Sequence, residues 1–120
     1  MKKALIILIF LFYPNVTYTQ TGSMLFEIDY LIDYIKNSGC IFIRNDRNHS
    51  PKEAVQHINH KFEYFKDKIT TTESFIEFCV TKSTMSNKPY EIKCPGQPLV
   101  KSREWLIKEL DRIRAMKGKE

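Results

Sequence analysis

The sequence contains no C-x-x-C pair, no internal repeat and no low-complexity stretch. It also lacks an apolar run of the roughly 18 or more residues that a membrane-crossing helix needs. The first absence removes the usual zinc signatures. A G-x-S-x-G elbow and an S-x-x-K motif are missing too, which removes two familiar settings for a nucleophilic serine. Lysine and arginine do not gather into one basic stripe, so nucleic acid is not an expected partner. Cysteine is scarce. Three in 120 residues allow one internal disulfide and leave one thiol over.

What is present begins with an export signal. Lys2 and Lys3 precede an unbroken apolar stretch, Ala4 to Tyr13, which Pro14 and Asn15 end. That stretch is too short to span a bilayer comfortably and has the length of a signal h-region. Thr17-Tyr18-Thr19 places small residues where a signal peptidase wants them, so residues 1–19 read as a signal peptide cleaved before Gln20. A site near Gly22 is a close alternative, and an uncleaved N-terminal anchor is a further one. No cysteine follows the h-region closely, which argues against a lipoprotein. The expected destination is the bacterial periplasm, or the medium. Losing the two lysines would lower the formal charge from +5 to about +3, a mild balance with alternating signs along the helices.

Residues 20–120 read as a single domain. Ile28, Leu31, Ile32 and Ile35 mark one face of a helix from about Met24 to Asn37, with Tyr30 and Tyr34 beside that face. Gly39 can supply the positive φ that ends it. Cys40 to Arg44 is a short strand, and Asn45-Asp46-Arg47-Asn48 has turn chemistry. Ser50, Pro51 and Glu53 form a capping box with proline at N1, opening a helix whose apolar face is Ala54, Ile58, Phe62 and Phe65. Thr70 and Glu73 repeat the capping spacing ahead of Phe75, Ile76, Cys79 and Val80. Pro89 to Cys94 alternates as a second strand, and Ser102 to Met116 is a final helix with Trp105, Leu106, Leu110 and Ile113 inward.

The fold class is therefore α+β, in the order α-β-α-α-β-α, with a two-stranded antiparallel ribbon packed on four helices. If Cys40 lies opposite Cys94, then Phe42 meets Ile92 and Arg44 meets Tyr90. That register keeps the larger apolar side chains on one face and brings the two sulfurs within disulfide reach. Cys79, on a helix core face, is expected to stay buried and unpaired.

The order of several short motifs resembles the YfeK-like family of small exported bacterial proteins, described as a domain of unknown function (family 5329). They are Phe42-Ile43-Arg44-Asn45, Glu53-Ala54-Val55-Gln56-His57-Ile58, Ile69-Thr70-Thr71-Thr72-Glu73-Ser74-Phe75-Ile76, Lys88-Pro89-Tyr90-Glu91-Ile92 and Trp105-Leu106. The family often has glycine where this chain has Asp46 and Asn87, residues that can also take a positive φ. The resemblance implies an envelope location. It brings no activity, cofactor or catalytic residues.

Among the residues with chemistry to offer, Arg44, Asn45, Arg47 and His49 gather where the second helix presents free amides, with Lys88 and Tyr90 brought near by the strand pairing. Helix N-termini and arginines attract carboxylates and phosphates. This rim is the expected ligand-binding site of a non-enzymatic interaction module, its partner an envelope protein or an anionic glycan or peptide. The alternative is a small hydrolase using Glu53 with His57, or Ser83 with Ser86. Glu53, His57 and Lys61 form one polar line along their helix, and the blander reading makes Glu53 a cap and His57 a boundary residue. His57, His60 and His49 lack an acidic or thiolate partner at ligand spacing, so no metal or other cofactor is expected.

Overall fold

The computed structural model describes residues 16–119. The stretch from Ala4 to Tyr13, on which the expected signal peptide rests, lies outside them. Helix α1 spans Val16–Lys36, starting earlier than the periodicity of its buried face predicts. Ile28, Leu31 and Ile35 of that face are buried, and Gly39 takes φ +69° just beyond the helix.

Strand β1 (Ile41–Arg44) and strand β2 (Arg47–His49) form a hairpin. The expected plain turn is thus shorter, and Arg47 and Asn48 are strand residues. Asn45 and Asp46 alone make the bend, at φ 51° and 65°. Positive φ at both central residues is the type I′ pattern whose twist suits two-residue hairpins. Asparagine and aspartate tolerate that region better than most residues do.

Helix α2 (Pro51–Phe65) has the predicted cap. The Glu53 amide donates to Ser50 Oγ at 3.2 Å, and Glu53 Oε1 accepts from the Ser50 amide at 3.1 Å. A single 3-10 turn follows at Lys66–Lys68. Helix α3 (Thr72–Cys79) starts one residue later than predicted, with Thr71 as the cap and Ser74 at N3. The Ser74 hydroxyl donates to the Thr71 carbonyl and accepts from the amides of both Thr70 and Thr71. The shift releases Glu73 for another task. It also buries Thr72, whose hydroxyl donates to Glu27 at 2.6 Å.

Strands β3 (Glu91–Lys93) and β4 (Val100–Lys101) complete a sheet of order β2-β1-β3-β4, all antiparallel. The predicted ribbon is its centre: Phe42 pairs with Ile92 in the expected register. The outer strands are too short to leave a periodic signal. Cys40 and Cys94 are joined, as that register requires, and Cys79 is free and buried. Helix α4 spans Ser102–Lys117.

The helices cover one face of the sheet. Phe42 and Ile92 point into a core that includes Leu31, Ile35, Phe75, Ile76, Leu106 and Leu110. Burying each such side chain is worth roughly 1.5–3 kcal/mol relative to leaving it in water. The opposite face is open, with Ile41 44% exposed beside Lys93. Among the described residues no helix is long and apolar enough to cross a membrane.

Candidate functional site

Three of the rim residues, Asn45, His49 and Lys88, are engaged by neighbouring side chains. Lys88 Nζ meets Asp46 at 2.7 Å. Asn45 donates to Ser83 Oγ and accepts from Ser86 Oγ at 2.6 Å, which ties the hairpin bend to the Ser83–Lys88 turn. His49 sits 3.3 Å from Glu53. Arg47 is exposed on the edge strand, and Arg44 is half-buried. The structure thus brings Asn45 to the turn before Lys88, and Arg44 to Tyr90. His49 is drawn to the cap of α2 instead.

The two pairings proposed for a hydrolase come out differently. Glu53 is engaged by the Ser50 amide and His49, and His57 bonds elsewhere. Ser83 and Ser86 are both close to Asn45, but their hydroxyls serve the turn. Ser83 Oγ accepts from the Ser86 amide and Ser86 Oγ accepts from the Lys88 amide. Among the described residues no imidazole or lysine amine is bonded to either hydroxyl.

Behind the rim, His57 and Lys61 of the expected polar line along α2 converge on Tyr90, while Glu53 stays at the cap. Lys61, only 7% exposed, donates to the Lys82 carbonyl at 2.8 Å and to Tyr90 Oη at 3.2 Å. Tyr90 Oη lies 3.0 Å from His57 Nε2. The Lys61 ammonium also lies 5.0 Å from the centre of the Tyr90 ring, an electron-rich neighbour that suits a cation. Burial, and then the positive charges of Arg44 and Lys61, lower the His57 pKa to about 4. Burial also lowers that of Lys61 and raises that of Tyr90. Cys79 is pushed up to about 11 by burial, so its thiol is inert at neutral pH. Among the described residues no group of three histidine, cysteine or acidic side chains could hold a metal ion. The clue to Lys61 was positional: it falls three residues after Ile58, inside the apolar stripe of α2.

A much larger concavity lies elsewhere, between the C-terminal half of α1, helix α4 and the Cys94–Pro98 segment. It is an open cleft of about 1260 Å³ with the Cys40–Cys94 bridge in its wall. Three aromatic rings form a row along it. Tyr30 and Tyr34 stack at 6.4 Å, and Tyr34 stacks on Trp105 at 4.7 Å. Tyr30 Oη donates to Glu109 at 2.7 Å and accepts from Arg112 at 3.0 Å. The Arg112 guanidinium holds the buried Glu109 carboxyl below the usual carboxylate range. This network fixes the row from behind. Trp105, expected to face inward, does pack against the core, edge-on to Phe42, and it also lines the cleft, which no sequence pattern announced. The available sign was Tyr30 and Tyr34 at i, i+4 spacing, flanking the buried stripe rather than lying in it.

Residues 23–114 match the family described as Family of unknown function (DUF5329). The chain is similar to the uncharacterized protein YfeK of Salmonella typhimurium, 37% identical over 49 residues. That alignment covers 41% of this chain and 41% of YfeK. No solved structure matches. With most of the domain, from α1 to α4, inside the matched region, the chain belongs to the DUF5329 family.

Proposed function

We propose that this protein is an exported, non-enzymatic binding module whose docking site is the aromatic cleft, and that its partner is another protein of the bacterial envelope. The observation that carries this reading is the fixed row Tyr30, Tyr34 and Trp105 in a cleft of about 1260 Å³. That space is larger than a small-molecule pocket typically needs and suits a segment of polymer. Tryptophan, tyrosine and arginine are also the residues that dominate protein interfaces, and Trp105, Tyr34 and Arg112 all line the cleft. Asp33 and Glu104 slightly outweigh Lys108 along its walls, which favours a polypeptide segment over an anionic glycan. Export is supported by the Lys2-Lys3 and Ala4–Tyr13 pattern, and the Cys40–Cys94 disulfide is compatible with it.

The test is photo-crosslinking in the native envelope from two positions, Lys108 at the cleft and Arg47 at the rim. Position 108 should trap a protein and position 47 should not. Trapping from position 47 alone would move the binding surface to the rim. A glycan trapped at 108 would change the partner class, and silence at both positions in folded protein would sink the reading.

A further inference from the structure

Two polar atoms on the aromatic row serve nothing inside the fold. Tyr30 Oη is committed to Glu109 and Arg112. Tyr34 Oη and Trp105 Nε1 have no hydrogen-bond partner among the described residues. Neither atom is enclosed: among the described residues Ser102 Oγ alone is a buried side-chain polar atom without a partner, so both of the others reach solvent. Both residues line the cleft. Trp105 Nε1–H can only donate, and Tyr34 Oη–H can donate as well. The ring faces are occupied, Tyr34 packing on Trp105 at 4.7 Å with an interplanar angle of 28°, and Phe42 meeting Trp105 edge-on at 6.0 Å. The row is therefore fixed before a ligand arrives, and it offers ring edges that carry N–H and O–H donors. Pro95 and Pro98 add apolar surface to the wall. Asp33 and Glu104 are exposed beside the row and make no ion pair among the described residues, and Lys108 is the single unpaired cation near them.

We propose that the segment bound in the cleft is a proline-rich stretch of the partner in the polyproline II conformation, with a basic residue next to the prolines. This rests on the cleft being the docking site. A prolyl residue has a carbonyl and no N–H, so a run of them presents acceptors and apolar rings and brings no donor that must be matched. Those carbonyls suit Trp105 Nε1–H and Tyr34 Oη–H, and the rings suit an aromatic-lined groove. An α-helical segment would spend its carbonyls on its own hydrogen bonds. A polyproline II stretch is already extended when free, so little ordering opposes its binding. A lysine or arginine beside the prolines meets Asp33 or Glu104, which gives the stretch its direction.

The test titrates three blocked peptides into the disulfide-bonded protein and follows the Trp105 Nε1–H signal by NMR. The probe is octaproline followed by two lysines. One control replaces the prolines with alternating glycine and serine, and the other replaces the lysines with glutamates. The probe should shift the Trp105 signal saturably. The glycine–serine peptide should bind at least tenfold more weakly, and the glutamate peptide should lie between. Tyr34→Phe keeps the ring and loses the donor, and should weaken probe binding about three- to tenfold. Asp33→Asn, at an exposed position, should weaken the lysine peptide and leave the glutamate peptide no weaker. A probe that gives no saturable shift, a glycine–serine peptide that binds as well, or Tyr34→Phe binding as the parent does would each overturn the proposal. Crosslinking from position 108 judges the cleft separately: a protein trapped there while the probe fails leaves the docking site standing and removes the proline-rich occupant.

Discussion

His57 shows how one side chain can set an acid limit. Its pKa falls to about 4 in the folded state from an ordinary value of 6.5, first because it is buried and then because Arg44 and Lys61 are near. Unfolding lets the imidazole take up a proton more easily, so the unfolded chain binds more protons between those two values. The stability tied to neutral His57 is complete above pH 6.5 and is lost as pH falls toward 4. The full shift corresponds to an upper bound of about 3 kcal/mol. Denaturant unfolding at pH 7 and pH 5 should reveal a loss of stability in the parent protein. His57→Gln should lose clearly less between the same two values. An equal drop in both would show that His57 does not carry the acid sensitivity.

Ionic contacts join the helices alongside the apolar core. Arg114 of α4 reaches Glu27 of α1 at 2.8 and 2.9 Å and Glu73 of α3 at 2.6 Å. Glu27 is buried, and its hydrogen bonds with Arg114 keep its carboxyl ionised well into the acid range. Arg114→Ala would leave that carboxylate without its hydrogen-bonded cation, at a cost of about 2–4 kcal/mol. Adding Glu27→Gln to Arg114→Ala should restore part of the loss, and a double-mutant cycle in urea measures both. The elements themselves were legible wherever a local rule governed them. The box at Ser50, the stripe at Ile28–Ile35 and the Phe42–Ile92 register followed from spacing alone. Three adjacent threonines gave the cap of α3 several equivalent starts, and Ser74 chose among them. Strands of two and three residues, such as β4 and β2, carry too few side chains for alternation to show.

For the whole molecule, one covalent tie closes the ends of the sheet's two central strands. The Cys40–Cys94 bridge spans 54 residues of sequence, and a loop of that length restricts the unfolded chain by about 4 kcal/mol. Replacing both cysteines with alanine should lower the unfolding free energy by about that amount and leave Cys79 buried. A fall below about 1 kcal/mol would show that packing alone holds those strands. The pairing of these sulfurs could be read from the chain because it depends on strand register. The cleft could not, because it is the space between α1 and α4, and no local pattern records a gap between two distant segments.

Trp105 is the chain's sole indole, and it stacks on Tyr34 in the cleft wall. The molecule's intrinsic fluorescence on excitation near 295 nm therefore comes from a single place. Whatever settles between α1 and α4 changes the polarity around that chromophore, so occupancy of the cleft announces itself as a change in emission without any attached dye.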